Sequence, residues 1–372
     1  MSTTNYRFFV QCSLGLEQVV RQELQAFGWE CQEQEGGVEL RGDWDQLVQC
    51  CLALRSADSV RVRLKAFLAF NFTDLVEQLK KLPFRAYFER GTAVEVRVTC
   101  HKSQLWHSDA VAERVYAVLE EHVGCVRGGA EGEPQTVYVR VHRDEVQVSL
   151  DAGGQKMHRR GYRPYVERAS LRETLAFAVG SVVLEHKAAA SAVWDPFCGA
   201  GTLLLELAHL QEGRLAGEGR RLALEQWRGH DAARFAELKQ RTVELVAEQA
   251  RVRFAQPLRL LGSDVSGSAV SAAKKNASSA QLEGLEWWEG DLVEVASQIP
   301  PGTAIVCNPP YGKRLSDCGG VRRLLQLVQS RADLRPVVAL VGGEAKNLLP
   351  SSWQAPLHFQ NGGLSVSTRV LL

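Results

Sequence analysis

The chain reads as an α/β protein: a mainly parallel, doubly wound sheet in its C-terminal half, preceded by a smaller α+β region. Two observations carry this reading. In the second half, four short apolar runs, 192–194, 258–263, 285–288 and 304–307, each end at a polar residue, respectively Asp195, Asp264, Glu289 ahead of Asp291, and Asn308. Longer helical stretches separate most of these runs, the pattern of strand–helix–strand units with a site at the strands' carboxyl edge. In the first half the strands are short, alternate apolar with polar residues, and are interleaved with helices, as in a ferredoxin-like unit.

The elements follow in order. Tyr6 to about Lys65 holds strands at 8–10, 37–40 and 60–63 and helices at 17–27 and 44–51. From Ala66 to about Gly153 the pattern predicts helices over 74–79 and 108–122 and strands over 93–99, 136–141 and 145–150. Arg143-Asp144 is placed to make the tight turn between the last two, and Gly124 to Gly132 reads as a loop. Beyond Tyr165, strands alternate with helices. A helical insertion spans Gln211 to Pro257, and Val337–Val341 with a pair near 356–359 and 365–371 closes the sheet with antiparallel edges.

Two stretches carry chemistry. Asn308-Pro309-Pro310-Tyr311 follows a buried strand. An Asn side-chain oxygen and a prolyl carbonyl can accept both N–H bonds of an exocyclic base amine while an aromatic ring holds the base face. Consecutive prolines fix φ and leave little to order at the moment of reaction. Without that role the stretch is a plain turn. Asp195-Pro196-Phe197-Cys198-Gly199-Ala200-Gly201-Thr202 is a strand end and Gly-rich turn ahead of a helix at 203–210. It is neither GxGxxG nor a Gly-Lys-Ser/Thr loop, so a cofactor without phosphate fits better, and S-adenosylmethionine is the natural candidate. Asp264 is placed for ribose hydroxyls. Asp291 is either a partner for the adenine amine or an N-cap for 292–296.

In this order the four stretches resemble the class I S-adenosylmethionine-dependent methyltransferases that modify nucleobase amines, over about the last two hundred residues. The resemblance implies that Asp195, Phe197, Gly199, Gly201 and Thr202 surround the methionine part, Asp264 the ribose and Asp291 the adenine. Asn308, itself beside the cofactor, Pro309 and Tyr311 would hold the target amine. Leu171 to Ala176 is similar to that family's leading helix. The opening Phe8 to Glu17, followed by a helical run, resembles bacterial THUMP-domain RNA methyltransferases, and Lys156 to Arg163 looks like their basic hinge. This implies a ferredoxin-like domain over 1–65, a THUMP RNA-binding domain over 66–155, a hinge over 156–170 and a Rossmann-like catalytic domain over 171–372. The implied activity is methylation of guanine N2 in RNA, 23S ribosomal RNA first, with Lys102, Arg159, Arg160 and Arg163 on the RNA. Transfer RNA, adenine N6, a glutamine amide, or a non-catalytic RNA-binding assembly role are the alternatives.

Composition bounds the rest. The 372 residues carry 44 Lys and Arg against 43 Asp and Glu. That balance is unusual for an RNA partner, but residues 55–102 hold ten basic residues against five acidic. Phe84, Tyr87, Phe88, Trp106, Tyr162 and Tyr165 lie among or beside the basic stretches. They could stack on bases, with core packing the better account of Phe84 and Phe88. No long uncharged apolar run suggests a membrane span and the first residues lack a secretory h-region, so the cytosol is expected. The nine scattered Cys suggest neither disulfides nor a metal site, and Cys198 and Cys307 read as buried filler rather than nucleophiles.

Overall fold

The computed structural model describes residues 5–128, 133–154, 156–165, 171–187, 190–310 and 318–372. The N-terminal half runs β1 (Tyr6–Gln11), α1 (Glu17–Ala26), β2 (Gln32–Gln34), β3 (Gly37–Gly42), α2 (Trp44–Ala53), β4 (Ser59–Leu68), α3 (Phe72–Leu79), β5 (Ala93–His101), α4 (Ser108–His122), β6 (Val126–Arg127), β7 (Gln135–His142) and β8 (Glu145–Asp151). Alternation decides its layers. Val137, Val139 and Val141 are buried beneath helices, and the intervening Thr136, Tyr138 and Arg140 are not. Asp43 caps α2 by accepting the Gln46 amide at 2.9 Å, and the Gln46 side chain returns the contact. Arg143 and Asp144 turn the β7–β8 hairpin with φ of 50° and 63°, as a two-residue turn requires. Phe84 and Phe88 are core residues.

These strands form one eight-stranded sheet in the order β2-β3-β1-β4-β8-β7-β5-β6. The sequence pattern divides the chain at 65/66, yet β4 runs through that point and pairs with β1 on one side and β8 on the other. A β-bulge between Arg63 and Lys65 explains the discrepancy: it breaks the alternation without ending the strand. The stretch read as a loop from Gly124 also contains β6, which pairs with β5.

The C-terminal half runs α5 (Glu173–His186), β9 (Ala192–Asp195), α6 (Thr202–Gln211), α7 (Ala232–Arg253), β10 (Arg259–Asp264), α8 (Gly267–Ser279), β11 (Leu285–Glu289), α9 (Leu292–Ala296), β12 (Ala304–Cys307), α10 (Gly319–Ser330), β13 (Val337–Gly342), β14 (His358–Asn361) and β15 (Leu364–Leu371). The seven strands are ordered β11-β10-β9-β12-β13-β15-β14, parallel except for β15 and its partner contacts. β9, β12 and β13 are buried at every position, the signature of a sheet covered on both faces.

The halves are joined by a buried ionic seam. Glu206 on α6 lies 2.8 Å from Arg160 and 3.4 Å from Arg55, with the Tyr162 hydroxyl donating to it. All four side chains are buried. Gly15 docks the N-terminal half against β14: a Cβ there would lie 1.8 Å from the His358 carbonyl oxygen. Removing one partner from a buried ion-pair cluster strands the others without compensation. Glu206→Ala is therefore expected to lower unfolding stability by roughly 3–5 kcal/mol in urea titration; a loss below about 1 kcal/mol, the range of exposed pairs, would show that the seam is not holding the halves.

Candidate active site

Parallel register brings the polar strand ends to one edge. Gly262 of β10 is level with Asp195 of β9, and Ile305 of β12 with Trp194. Asp264 and Asn308 thus project past the sheet beside Asp195. The Asp195 carboxylate accepts the Phe197 amide at 3.0 Å, the Cys198 amide donates to the Ser263 carbonyl at 3.0 Å, and Asp264 Oδ2 accepts the Gly199 amide at 3.0 Å. These three bonds curl the turn across the ends of two strands.

The two glycines do different work. Both have positive φ, 52° at Gly199 and 86° at Gly201. A Cβ on Gly201 would lie 2.9 Å from the Trp287 ring and 3.2 Å from Ala273, so that glycine permits packing against α8 and β11. A Cβ on Gly199 would meet nothing within 4 Å, so that glycine borders open space where a ligand can approach the backbone.

Electrostatically the edge collects acceptors that only backbone amides meet: Asp264 accepts the Ser266 amide at 3.0 Å as well as that of Gly199. Burial pushes the Asp195 carboxyl well above the usual range, and the neighbouring Asp264 charge adds to the shift. Asn308 is half-buried, and its Oδ1 is shielded from solvent with no hydrogen-bond partner among the described residues. A phosphate would place negative charge beside two carboxylates. A cofactor bearing an ammonium group and ribose hydroxyls brings further donors for the lone pairs left on these acceptors, so the chemistry of the edge fits S-adenosylmethionine.

Phe197 is half-buried beside the turn, and Thr202 is buried at the start of α6. Pro309 is buried and Pro310 exposed. Tyr311 lies outside the described residues. Asp291 caps α9 through the Val293 amide at 3.0 Å and also meets Arg323 of α10 at 2.5 Å, so its capping role is realised. Burial pushes the Cys307 thiol well above its ordinary range. Among the described residues no cluster of His, Cys, Asp or Glu is arranged to hold a metal, and no helix is long and apolar enough to cross a membrane.

Two residues expected on RNA are placed elsewhere. Arg160 is buried in the seam with Glu206 and also donates to the Arg55 carbonyl at 2.7 Å. Arg163 pairs with Glu173 at 3.2 Å and donates to the Thr202 hydroxyl and the Leu171 carbonyl. Both guanidinium groups found acids inside the protein, a choice that basic sequence character does not reveal. Tyr162 is buried with them rather than free to stack. Arg159 and Lys102 are exposed, as are Trp106 and Tyr165. One residue had no signal in the sequence reading: Asn276 of α8, wholly buried, donates to the Ala200 carbonyl at 3.1 Å and the Tyr165 carbonyl at 2.9 Å. A polar amide inside a helix rich in small residues is the cue that could have singled it out.

The strand order, with an antiparallel strand inserted beside β13, and the acidic glycine-turn edge define a class I methyltransferase, and S-adenosylmethionine is the methyl donor of that class. The chain belongs to the RMKL-like methyltransferase family: residues 160–340 match the RMKL-like methyltransferase domain and residues 7–61 the RlmL ferredoxin-like domain. It is 30% identical over 334 residues to YpsC of Bacillus subtilis (strain 168), named as an RNA methyltransferase, covering 86% of this chain and 82% of that one. It is 31% identical over 321 residues to the ribosomal RNA large subunit methyltransferase K/L of Methylococcus capsulatus, covering 83% of this chain but 43% of that protein. The crystal structure of SMU.472, a methyltransferase complexed with SAH, superimposes with a TM-score of 0.83 at 24% identity over 100% of this chain and 98% of that one.

The glycine geometry separates affinity from stability. Gly199→Ala is expected to weaken S-adenosylmethionine binding at least tenfold by calorimetry while lowering stability by only about 1–2 kcal/mol, the ordinary penalty of a left-handed residue. Gly201→Ala should destabilise more, because its methyl meets the Trp287 ring as well. Equal cofactor affinity in Gly199→Ala and the unaltered protein would remove the turn from the binding site.

Proposed function

We propose that the chain transfers a methyl group from S-adenosylmethionine to the exocyclic N2 amine of a guanosine in RNA, with 23S ribosomal RNA as the leading substrate and the cytoplasm as the place of action. The observation that carries the reading is the solvent-shielded Oδ1 of Asn308, without a hydrogen-bond partner among the described residues, one residue beyond a buried strand and beside the glycine turn. Leaving such an acceptor unpaired costs about 1–3 kcal/mol. An incoming base amine recovers that loss and is thereby oriented.

When bound, the sulfonium of S-adenosylmethionine supplies an electrophilic methyl group. The residues of this chain do the rest by placement. Asn308 Oδ1 and the Pro309 carbonyl accept the amine's N–H bonds, and Tyr311, assigned from the sequence pattern, covers the base face. Pro309 and Pro310 hold these acceptors in a preset backbone, so positioning rather than general-base chemistry dominates. Reaching an amine that is paired within a helix requires the base to leave its stack. Asp195, Phe197, Gly199, Gly201 and Thr202 border the methionine part, Asp264 takes the ribose hydroxyls, and Asp291 lies toward the adenine while it caps α9.

RNA as the substrate rests on the names of the relatives and on the front half, where we divide the chain into a ferredoxin-like module over 1–65, a THUMP module over 66–155, and a hinge over 156–170 leading to the catalytic domain over 171–372. The first boundary is functional, since the sheet itself is continuous. Lys102 and Arg159 remain the sequence-assigned RNA contacts. The match to the large-subunit enzyme spans less than half of that protein, so its substrate is the first to be tried.

Asn308→Ala is expected to leave cofactor affinity within about twofold and to lower methyl transfer to RNA by roughly a hundredfold or more, as loss of substrate positioning does. The assay is transfer of labelled methyl into separated RNA and protein fractions, with nucleoside mass spectrometry identifying N2-methylguanosine. Normal turnover in this variant, or label only in protein, would end the proposal. Asp264→Ala should act in the opposite sense, weakening cofactor binding by about ten- to a hundredfold, the worth of hydrogen bonds to a charged acceptor; unchanged affinity by calorimetry would refute its ribose role.

A further inference from the structure

The four N-terminal helices all lie on one face of the eight-stranded sheet, against the buried Phe8, Val60, Val139 and Val148. Among the described residues the opposite face carries no helix of that half, and it is lined with arginine. Strand register sets Arg7 of β1 directly against Arg41 of β3, Arg63 of β4 against Ser149 of β8, Ser149 against Tyr138 of β7, and Tyr138 against Arg97 of β5. Arg61 and Arg140 fall on the same face by alternation. The row crosses six adjacent strands, about 24 Å at the usual strand spacing.

Two features of this face point to an anionic ligand. Like charges directly opposite on paired strands are destabilising, and Arg7 against Arg41 is such a pair, relieved only through the Arg7–Glu39 contact at 2.8 Å. Glu39 is itself shared with Arg63, and Arg41 and Arg140 are exposed with no ion pair among the described residues. Three other acids share the face: Glu145 is exposed at its β7–β8 turn end, opposite His142, and the other two are already engaged or buried. Glu95 pairs with Arg97 at 2.9 Å, and burial pushes the Asp151 carboxyl up to about 7. The face also offers ring surfaces, since the Arg61 guanidinium stacks 3.6 Å over Tyr138 and Arg63 4.3 Å over Phe9.

At the catalytic end the face closes into a cleft of about 1190 Å³, walled by Arg97, Tyr138 and Asp151 on the sheet side and by Lys156, Arg159 and Arg221 on the other. Lys156, Arg159 and Arg221 are exposed. From this cleft the chain continues to Tyr165, whose backbone is clamped by Asn276, the residue that also holds the Ala200 carbonyl in the cofactor turn.

We infer that the helix-free face of the N-terminal sheet, with its arginine row and the cleft at its catalytic end, is the binding track for the phosphodiester backbone of an RNA strand. This deepens the RNA reading above and rests on it. Arginine suits the task because its planar fork engages phosphate oxygens in pairs and stacks on rings. The row is as long as a strand segment of a few nucleotides, and a strand lying on it would enter the cleft beside the linker that leads to the cofactor turn.

The test uses the full chain carrying Arg41→Glu with Arg140→Glu, both exposed and outside the catalytic edge. A control of equal charge change is Arg241→Glu with Arg251→Glu on the exposed side of α7. Binding of a labelled single-stranded oligoribonucleotide and of deproteinised ribosomal RNA is followed by fluorescence anisotropy across a salt series, and S-adenosylmethionine binding by calorimetry. The face variant should bind RNA at least tenfold more weakly, with the slope of log affinity against log salt reduced by about 1.4, the value for two lost contacts to a single strand. The control should match the unaltered protein, and all three should bind the cofactor equally. If the face variant keeps the affinity and salt slope of an unaltered protein that does bind RNA, the track is elsewhere and the inference fails while the RNA reading stands. If the unaltered protein binds the cofactor and an acidic polypeptide but no RNA, both fall.

Discussion

Trp194, the largest fully buried side chain, donates its indole N–H to Ser263 Oγ at 3.0 Å across the β9–β10 boundary. A buried indole needs a partner, and a slip of one residue would turn every side chain of β9 to the opposite face of the sheet. That single bond therefore helps fix the register on which the site depends. With it in place Asp195 stands level with Gly262, Asp264 is one step beyond the Ser263 carbonyl that receives the Cys198 amide, and the glycine turn closes over both carboxylates. β12, parallel on the other side of β9, then delivers Asn308 to the same edge. The arrangement stores an unfavourable feature: two acids, each met by backbone amides alone, collect beside a carboxamide oxygen that has no partner among the described residues. Such a feature is consistent with a ligand that arrives carrying the donors.

What was legible in the sequence had its cause within a few residues. The apolar runs ending in Asp195, Asp264 and Asn308 have buried flanks that only a two-sided sheet supplies, and Arg143-Asp144 could adopt the positive φ that its hairpin needs. Features set by distant partners were not legible. Arg160 and Arg163 look like exposed basic residues because the carboxylates that bury them, Glu206 and Glu173, sit on other elements. At 65/66 the cue is local and its limit non-local: the register shift after Arg63 breaks the alternation, and only the pairing with β8 shows that β4 continues. Asp291 shows the limit from the other side, because the same carboxylate satisfies a helix end and meets Arg323, and its local sequence fits either role.

The misplaced arginines change the meaning of the linker. Residues 156–165 do not form a loose basic tether. Arg160 and Tyr162 are locked to Glu206, Arg163 reaches Thr202 at the first turn of α6, and Tyr165 is held by Asn276. Thr202 and Ala200 belong to the glycine turn, so the linker and the turn share partners through two independent sets of hydrogen bonds. Displacing the N-terminal sheet relative to the catalytic sheet would separate Arg55 from Glu206 and expose the apolar core that is continuous across the two halves. The two halves are thus built to act as one body, and whatever the front half holds is held at a set distance from the methyl donor.

This rigidity bears on how a chain of nearly balanced charge can serve a polyanion. Net charge governs long-range attraction, which salt screens beyond about 8–10 Å; local charge governs what happens at contact. The acids and bases of this chain are not mixed evenly. Arg55, Arg160 and Arg163 are paired with buried carboxylates, and Arg241 and Arg251 on the outer side of α7 pair with glutamates one turn away. Among the described residues Arg41 and Arg140 have no ion pair, and they stand with Arg7, Arg63 and Arg97 on a sheet face that no described N-terminal helix covers. Because that face is rigidly joined to the glycine turn, a strand bound along it as inferred above would be ordered once, before the base leaves its stack.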